Sequence, residues 1–171
     1  MDRLHLITKF TRMRIAVFPG TFDPITLGHT DIIDRSLELF DKTIIGIGIN
    51  TNKQPMFSIE QRIEWIQNIY AGNKKVEVKS YKGLTVNFCQ EVNANFIIRG
   101  LRTVSDFEFE KAIADMNQML SPKIETFFLA CSAKYSSFSS TMVRDVIRNQ
   151  GDSSLFLPME IKESINKLSK Q

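Results

Sequence analysis

The chain alternates between short, nearly continuous apolar runs and longer stretches whose apolar residues return every three or four positions. The short runs are Arg14–Phe18, Thr43–Ile49, Val76–Ser80, Phe96–Ile98 and Glu125–Ala130. They read as strands buried on both faces. Between them Ile33, Leu37 and Phe40 recur at i, i+4, i+7, as do Ile59, Ile63 and Ile66, which predicts amphipathic helices covering a sheet. Asp106 to Leu120 repeats the pattern with Phe109, Ile113, Met116 and Leu120, so those methionines are expected to fill core space. Val143, Val146 and Ile147 form one face of a further helix, and a last one is expected to start at Pro158 and continue through Ile161, Ile165 and Leu168. Such alternation calls for parallel strands joined by crossover helices. The expectation is therefore an α/β protein: a single dinucleotide-binding, Rossmann-like domain over residues 13–171, a five-stranded parallel sheet with helices on both faces. Residues 1–12 mix charges among Leu4, Leu6, Ile7 and Phe10 without a continuous apolar centre. They are expected to be a disordered leader rather than a signal peptide.

Composition narrows the class. With 171 residues, 43% hydrophobic and 24% charged, the chain suits one globular core. No apolar run approaches the roughly 18 residues of a membrane span. Cys89 and Cys131 stand far apart, which excludes a CxxC redox pair and leaves buried free thiols as the expectation for a reducing, cytoplasmic setting. The formal charge of +3 is too mild for a nucleic-acid coat but suits a small anionic substrate. Lysines scattered singly or in short pairs also argue against an RNA-binding stripe.

In an open α/β sheet, ligands bind beyond the carboxyl ends of the strands. After the first run, Pro19 to His29 carries Gly20 and Gly28 ahead of a helix start, where unpaired N–H groups favour an anion. The same pattern also describes a glycine-rich turn with His29 as a surface residue. After the fourth run come Arg99-Gly100-Leu101-Arg102. These arginines either pair with Asp106, Glu108 or Glu110 or bind a ligand, and their place at the strand ends favours the ligand. After the fifth, Tyr135 to Arg144 offers hydroxyls and a cation at a helix start. Ser139, Ser140 or Thr141 can cap that helix, yet three residues beyond Thr141 stands Arg144 instead of the Glu or Gln of a capping box, and a cation in a first turn is disfavoured unless an anion shares the site. Lys53 shares the same edge. Cations gathered from four loops suit phosphoryl or nucleotidyl transfer.

Five motifs, in order, closely resemble bacterial phosphopantetheine adenylyltransferases of the T/HxGH nucleotidyltransferase superfamily. They are Pro19-Gly20-Thr21-Phe22-Asp23-Pro24 with Thr26-Leu27-Gly28-His29, Asn52 to Phe57, Ile98 to Arg102, Asp106 to Glu110, and Ser139-Ser140-Thr141. The resemblance implies adenylyl transfer from MgATP to 4′-phosphopantetheine, giving dephospho-CoA and pyrophosphate, in line and without a covalent enzyme intermediate. It implies a homohexamer and CoA as a feedback inhibitor. By motif position, His29 would stabilise the transition state and Thr21 would orient the attacking phosphate. Lys53 and Arg99 would hold the acceptor, with Thr85 lining its channel. ATP would lie on Thr21, Phe22, His29, Gly100, Leu101, Arg102, Glu110 and the run Tyr135, Ser136, Ser137, Phe138, Ser139, Ser140, Thr141. Mg²⁺ would be held by phosphates and water rather than by protein carboxylates. Phe138 and Thr85 depart from the usual residues, and both touch pocket shape.

Overall fold

The computed structural model describes residues 13–49 and 54–168, so the expected leader and Lys53 lie outside the described residues. Five strands and six α-helices alternate: β1 (Ile15–Gly20), α1 (Leu27–Leu39), β2 (Lys42–Gly48), α2 (Ile59–Ile69), β3 (Val76–Tyr81), α3 (Thr85–Glu91), β4 (Phe96–Leu101), α4 (Val104–Leu120), β5 (Glu125–Ala130), α5 (Ser140–Arg148) and α6 (Met159–Leu168). All strand pairs are parallel, in the order β3-β2-β1-β4-β5. The order reverses between β1 and β4, so the crevice that an open sheet offers a ligand opens there.

Side chains alternate across the sheet and build two cores. Ala16, Phe18, Ile45, Ile47 and Ile98 meet α1, α2, α5 and α6 through Ile32, Ile33, Trp65, Ile66, Val143, Ile147, Ile161 and Ile165. Val17, Ile44 and Ile97 meet α3 through Val86, Phe88 and Cys89 on the other face. Buried polar groups find partners: the Ser36 hydroxyl donates to the Ile33 carbonyl and lies 2.9 Å from the Thr43 hydroxyl, joining α1 to β2.

Two expectations are corrected and one element is added. First, β3 and β5 form the sheet edges and are only partly covered, with Phe127 exposed, because an edge strand has a neighbour on one side only. Second, α4 buries none of its residues, and Met116 and Met119 are 58% and 83% exposed rather than core filler. The 3.6-residue period reports an apolar stripe, not what covers it. The added element is α3, whose seven residues hold no repeat longer than two turns and so give no periodic signal. No helix among the described residues is long and apolar enough to cross a membrane.

Gly46 marks the tightest point of the second core. A Cβ there would sit 2.9 Å from the Phe88 ring, 3.2 Å from Tyr81 and 3.3 Å from Val17. The Tyr81 and Phe88 rings stack at 4.4 Å, so neither can retreat alone. Gly46→Ala should therefore lower unfolding free energy by about 1–3 kcal/mol, read from urea denaturation.

Candidate active site

A cleft of about 1240 Å³ opens at the carboxyl edge, over the β1/β4 switch point, and is walled by the loops after β1, β2, β3, β4 and β5. At its floor α1 begins. Thr26 is the N-cap, and its backbone N–H donates to His29 Nδ1 at 3.0 Å, so His29 takes the place that Glu or Gln holds in a capping box. This bond settles the tautomer. Nδ1 is an acceptor, so the ring proton sits on Nε2, the nitrogen left for the cleft. Burial, reinforced by the nearby Arg102 charge, pushes the His29 pKa down from 6.5 to about 4. At neutral pH the imidazole is uncharged and a hydrogen-bond donor. Gly28 lets the β5–α5 loop lie close beside it, since a Cβ would come 3.3 Å from the Phe138 carbonyl oxygen and 3.5 Å from that of Tyr135.

The arginines occupy graded environments. Arg99 donates through Nε and Nη2 to both Glu110 oxygens and through Nη1 to the Pro19 carbonyl at 3.1 Å. Arg102 pairs with Asp106 at 3.3 Å, the same carboxylate that accepts the Thr103 N–H ahead of α4. Arg144 donates to the Asp23 carbonyl at 2.7 Å and lies 3.8 Å from its carboxylate. The arginine–carboxylate pairing weighed from the sequence is thus realised in partners four and eleven residues downstream, yet Arg99, Arg102, Glu110 and Arg144 all still line the cleft.

Asp23 ties the walls together. It is buried, and its two carboxylate oxygens accept the Met56 and Phe57 N–H groups at 2.9 Å each. The Ser140 hydroxyl donates to the neighbouring Pro24 carbonyl at 2.8 Å, so α5 joins the same knot. Ser139, not Thr141, caps α5, accepting the Met142 N–H. Arg144 therefore stands two residues beyond the capping-box position, which Met142 holds.

A family model described as cytidylyltransferase-like matches residues 17–146. A phosphopantetheine adenylyltransferase of Flavobacterium psychrophilum is 54% identical over 150 residues, 88% of this chain and 99% of that protein. Another, from Christiangramia forsetii, is 49% identical over 151 residues, with 88% and 99% covered. The chain belongs to the phosphopantetheine adenylyltransferase family. Among solved structures, a bifunctional NMN adenylyltransferase/ADP-ribose pyrophosphatase of Francisella tularensis shares the fold, with a TM-score of 0.70 at 19% identity over 93% of this chain. The chain spans half of that longer protein.

Of the residues that the adenylyltransferase motifs single out, Thr21, His29, Thr85, Arg99, Gly100, Arg102, Glu110, Phe138, Ser139, Ser140 and Thr141 line the one cleft. Phe22 instead packs in the core, its ring 5.2 Å from that of His29. Leu101, Tyr135, Ser136 and Ser137 stand outside the lining. Tyr135 ends a short 3₁₀ turn, and the Ser136 hydroxyl donates to the Ala133 carbonyl. Sequence reasoning missed Asp23, Arg62 and Arg148, which also line the cleft. Arg62 carried a readable signal, since it falls three and four positions before Trp65 and Ile66 on the buried stripe of α2.

The His29 shift has a sign for stability. The unfolded chain takes up a proton near pH 6.5, whereas the folded one resists until about 4. The stabilisation is complete above 6.5 and is lost as pH falls toward 4, at no more than about 1.4 kcal/mol per pH unit for one proton. Wild type should thus lose more stability than His29→Asn between pH 7 and 4.5 in urea melts. Nitrogen-15 NMR at pH 6 should show His29 protonated on Nε2 alone.

Proposed function

We propose that the chain is a phosphopantetheine adenylyltransferase, transferring the adenylyl group of ATP to 4′-phosphopantetheine. The observation that carries this reading is the meeting of His29, Thr21, Arg99 and Arg102 in one cleft, in a chain about half identical to proteins of that name. A phosphate oxygen of the acceptor attacks the α-phosphorus of ATP, a new P–O bond forms, the Pα–O–Pβ bridge breaks, and pyrophosphate leaves with its electron pair. Nothing in this step needs an enzyme nucleophile. Its demands are alignment and neutralisation of charge on the α-phosphoryl oxygens.

Each demand has a group. The His29 Nε2–H, held by the Thr26 backbone, donates to the α-phosphoryl oxygen as charge builds there. Thr21 at the end of β1 orients the incoming phosphate. Arg99 and Lys53 receive the acceptor's phosphate, and Thr85, bonded to the Tyr81 hydroxyl at 2.9 Å, lines the channel for its arm. Arg102 and the Ser139–Ser140–Thr141 start of α5 take the triphosphate, with Glu110 holding Arg99 in place. Mg²⁺ arrives as part of the substrate, MgATP. The cleft carboxylates Asp23 and Glu110 are engaged by backbone N–H groups and arginine, so phosphate oxygens and water supply the ion's ligands. CoA, which shares the product's pantetheine arm, competes for the channel as a feedback inhibitor. A cytoplasmic location accompanies this reading, supported by the free thiols Cys89 and Cys131.

The reading extends to assembly. Phe109, Met116 and Leu120 form an exposed apolar stripe along α4, beside Met119. Contact between copies in a homohexamer buries such a stripe.

Incubation with MgATP and 4′-phosphopantetheine should release pyrophosphate, and a panel of other phosphorylated acceptors should not match it. His29→Ala should cut kcat by orders of magnitude with ATP affinity largely kept. Folded wild-type protein that binds ATP without turnover would sink the reading. Sedimentation should give a hexamer, and Met116→Glu should shift it to smaller species.

A further inference from the structure

Arg62 differs from the other cleft arginines in how its charge is held. The residue is 5% exposed, at the end of the first turn of α2. Nε donates to the Ser58 carbonyl at 3.2 Å and Nη1 to the Thr21 carbonyl at 2.8 Å. Both acceptors are neutral. The Arg99, Arg102 and Arg144 guanidinium groups each have a carboxylate within 4 Å, whereas the ion pairs among the described residues do not include Arg62. The acid that bears on it most, Asp23, spends its oxygens on the Met56 and Phe57 N–H groups.

A guanidinium removed from water, opposed by the helix dipole and hydrogen-bonded to carbonyls, with the Asp23 and Glu60 charges acting on it only from beyond ion-pair distance, is costly to the empty protein. Its placement has a clear beneficiary. Arg62 clasps the carbonyl of Thr21 and lines the same cleft, so it fixes the peptide at the end of β1 while projecting positive charge toward the anion site.

We propose that Arg62 is a positioning residue for adenylyl transfer: it sets the Thr21 peptide and supplies a buried charge whose counter-ion is the phosphate chain of the bound substrate. The proposal rests on the cleft's being a site for phosphorylated substrates. It predicts an unusual division, in which the residue burdens the empty fold and benefits the loaded one. Arginine is required because a single ammonium cannot bridge the Ser58 and Thr21 carbonyls in the fixed fork of a guanidinium.

The test compares wild type with Arg62→Met and Arg62→Lys by three readouts: the melting temperature of the empty protein, the rise in it caused by inorganic tripolyphosphate, and kcat and KM for pyrophosphate release. Arg62→Met should melt at or above the wild-type temperature, lose most of the tripolyphosphate rise, and show kcat reduced on the order of tenfold to a hundredfold. Arg62→Lys should keep the tripolyphosphate rise and still lose kcat with KM little changed. An Arg62→Met protein that fails to fold or melts well below wild type shows a structural pin and overturns the proposal. So does an Arg62→Met protein with the full tripolyphosphate rise, or an Arg62→Lys protein with wild-type kcat. Failure of wild type to turn over 4′-phosphopantetheine would overturn the substrate assignment instead, and the tripolyphosphate comparison would still decide the role of the charge.

Discussion

The cleft depends on one buried carboxylate. Asp23 receives the Met56 and Phe57 N–H groups on separate oxygens and stands beside Arg144, so the β1–α1 loop, the approach to α2 and the helix α5 are held as one body. Two amides and an arginine share this one carboxylate, and any one left alone in this dry setting would be expensive. Phe57 is drawn inward by the same bonds and meets Trp65 edge-on at 4.8 Å. The polar knot and the apolar core therefore support each other. Displacing the carboxylate would loosen three walls at once, rather than one loop.

The second constraint follows from the first. With α5 and the β5–α5 loop pressed onto the start of α1, the Tyr135 and Phe138 carbonyls approach Gly28, and the His29 ring is enclosed against Phe22 and Phe18. Burial, with the Arg102 charge nearby, makes an imidazolium unfavourable, and the Thr26 N–H takes up Nδ1. The result is a neutral donor whose direction is set by the backbone. A donor of this kind does not have to lose a proton or a counter-ion before it meets a phosphoryl oxygen, which is the advantage of preorganisation over bare charge.

Legibility in the sequence followed burial. β1, β2 and β4 were readable because central parallel strands are apolar on both faces, and their positions placed His29, Arg99 and Arg102 at one edge. The edge strands and α4 were misjudged on covering, since periodicity describes a side chain's face and not its neighbour. Partners across long separations were the least visible: Glu110 was one of three acids weighed for Arg99, and only the turn of α4 brings it round. Asp23 carried no sign of its role, since the amides it receives lie 33 and 34 residues further along. Arg62 was hidden inside an amphipathic helix, where an arginine is normally solvated, and only its spacing to Trp65 and Ile66 hinted otherwise.

The charge of the molecule acquires meaning only in this arrangement. A formal excess of +3 spread over the surface would attract little. Here Arg62, Arg99, Arg102, Arg144 and Arg148 line a cleft whose wall carboxylates, Asp23 and Glu110, are already bonded to backbone amides or arginine. Paired arginines keep their side chains ordered before any ligand arrives, so little rotamer entropy remains to be lost on binding. The pairing also tempers affinity, because an incoming phosphate must share the guanidinium with an anion already there. A site that must release pyrophosphate and a nucleotide product after each turnover is better served by shared cations than by bare ones. At Arg62 the guanidinium donates to the Ser58 and Thr21 carbonyls and, among the described residues, to no carboxylate, so its charge is shared less than those of Arg99, Arg102 and Arg144.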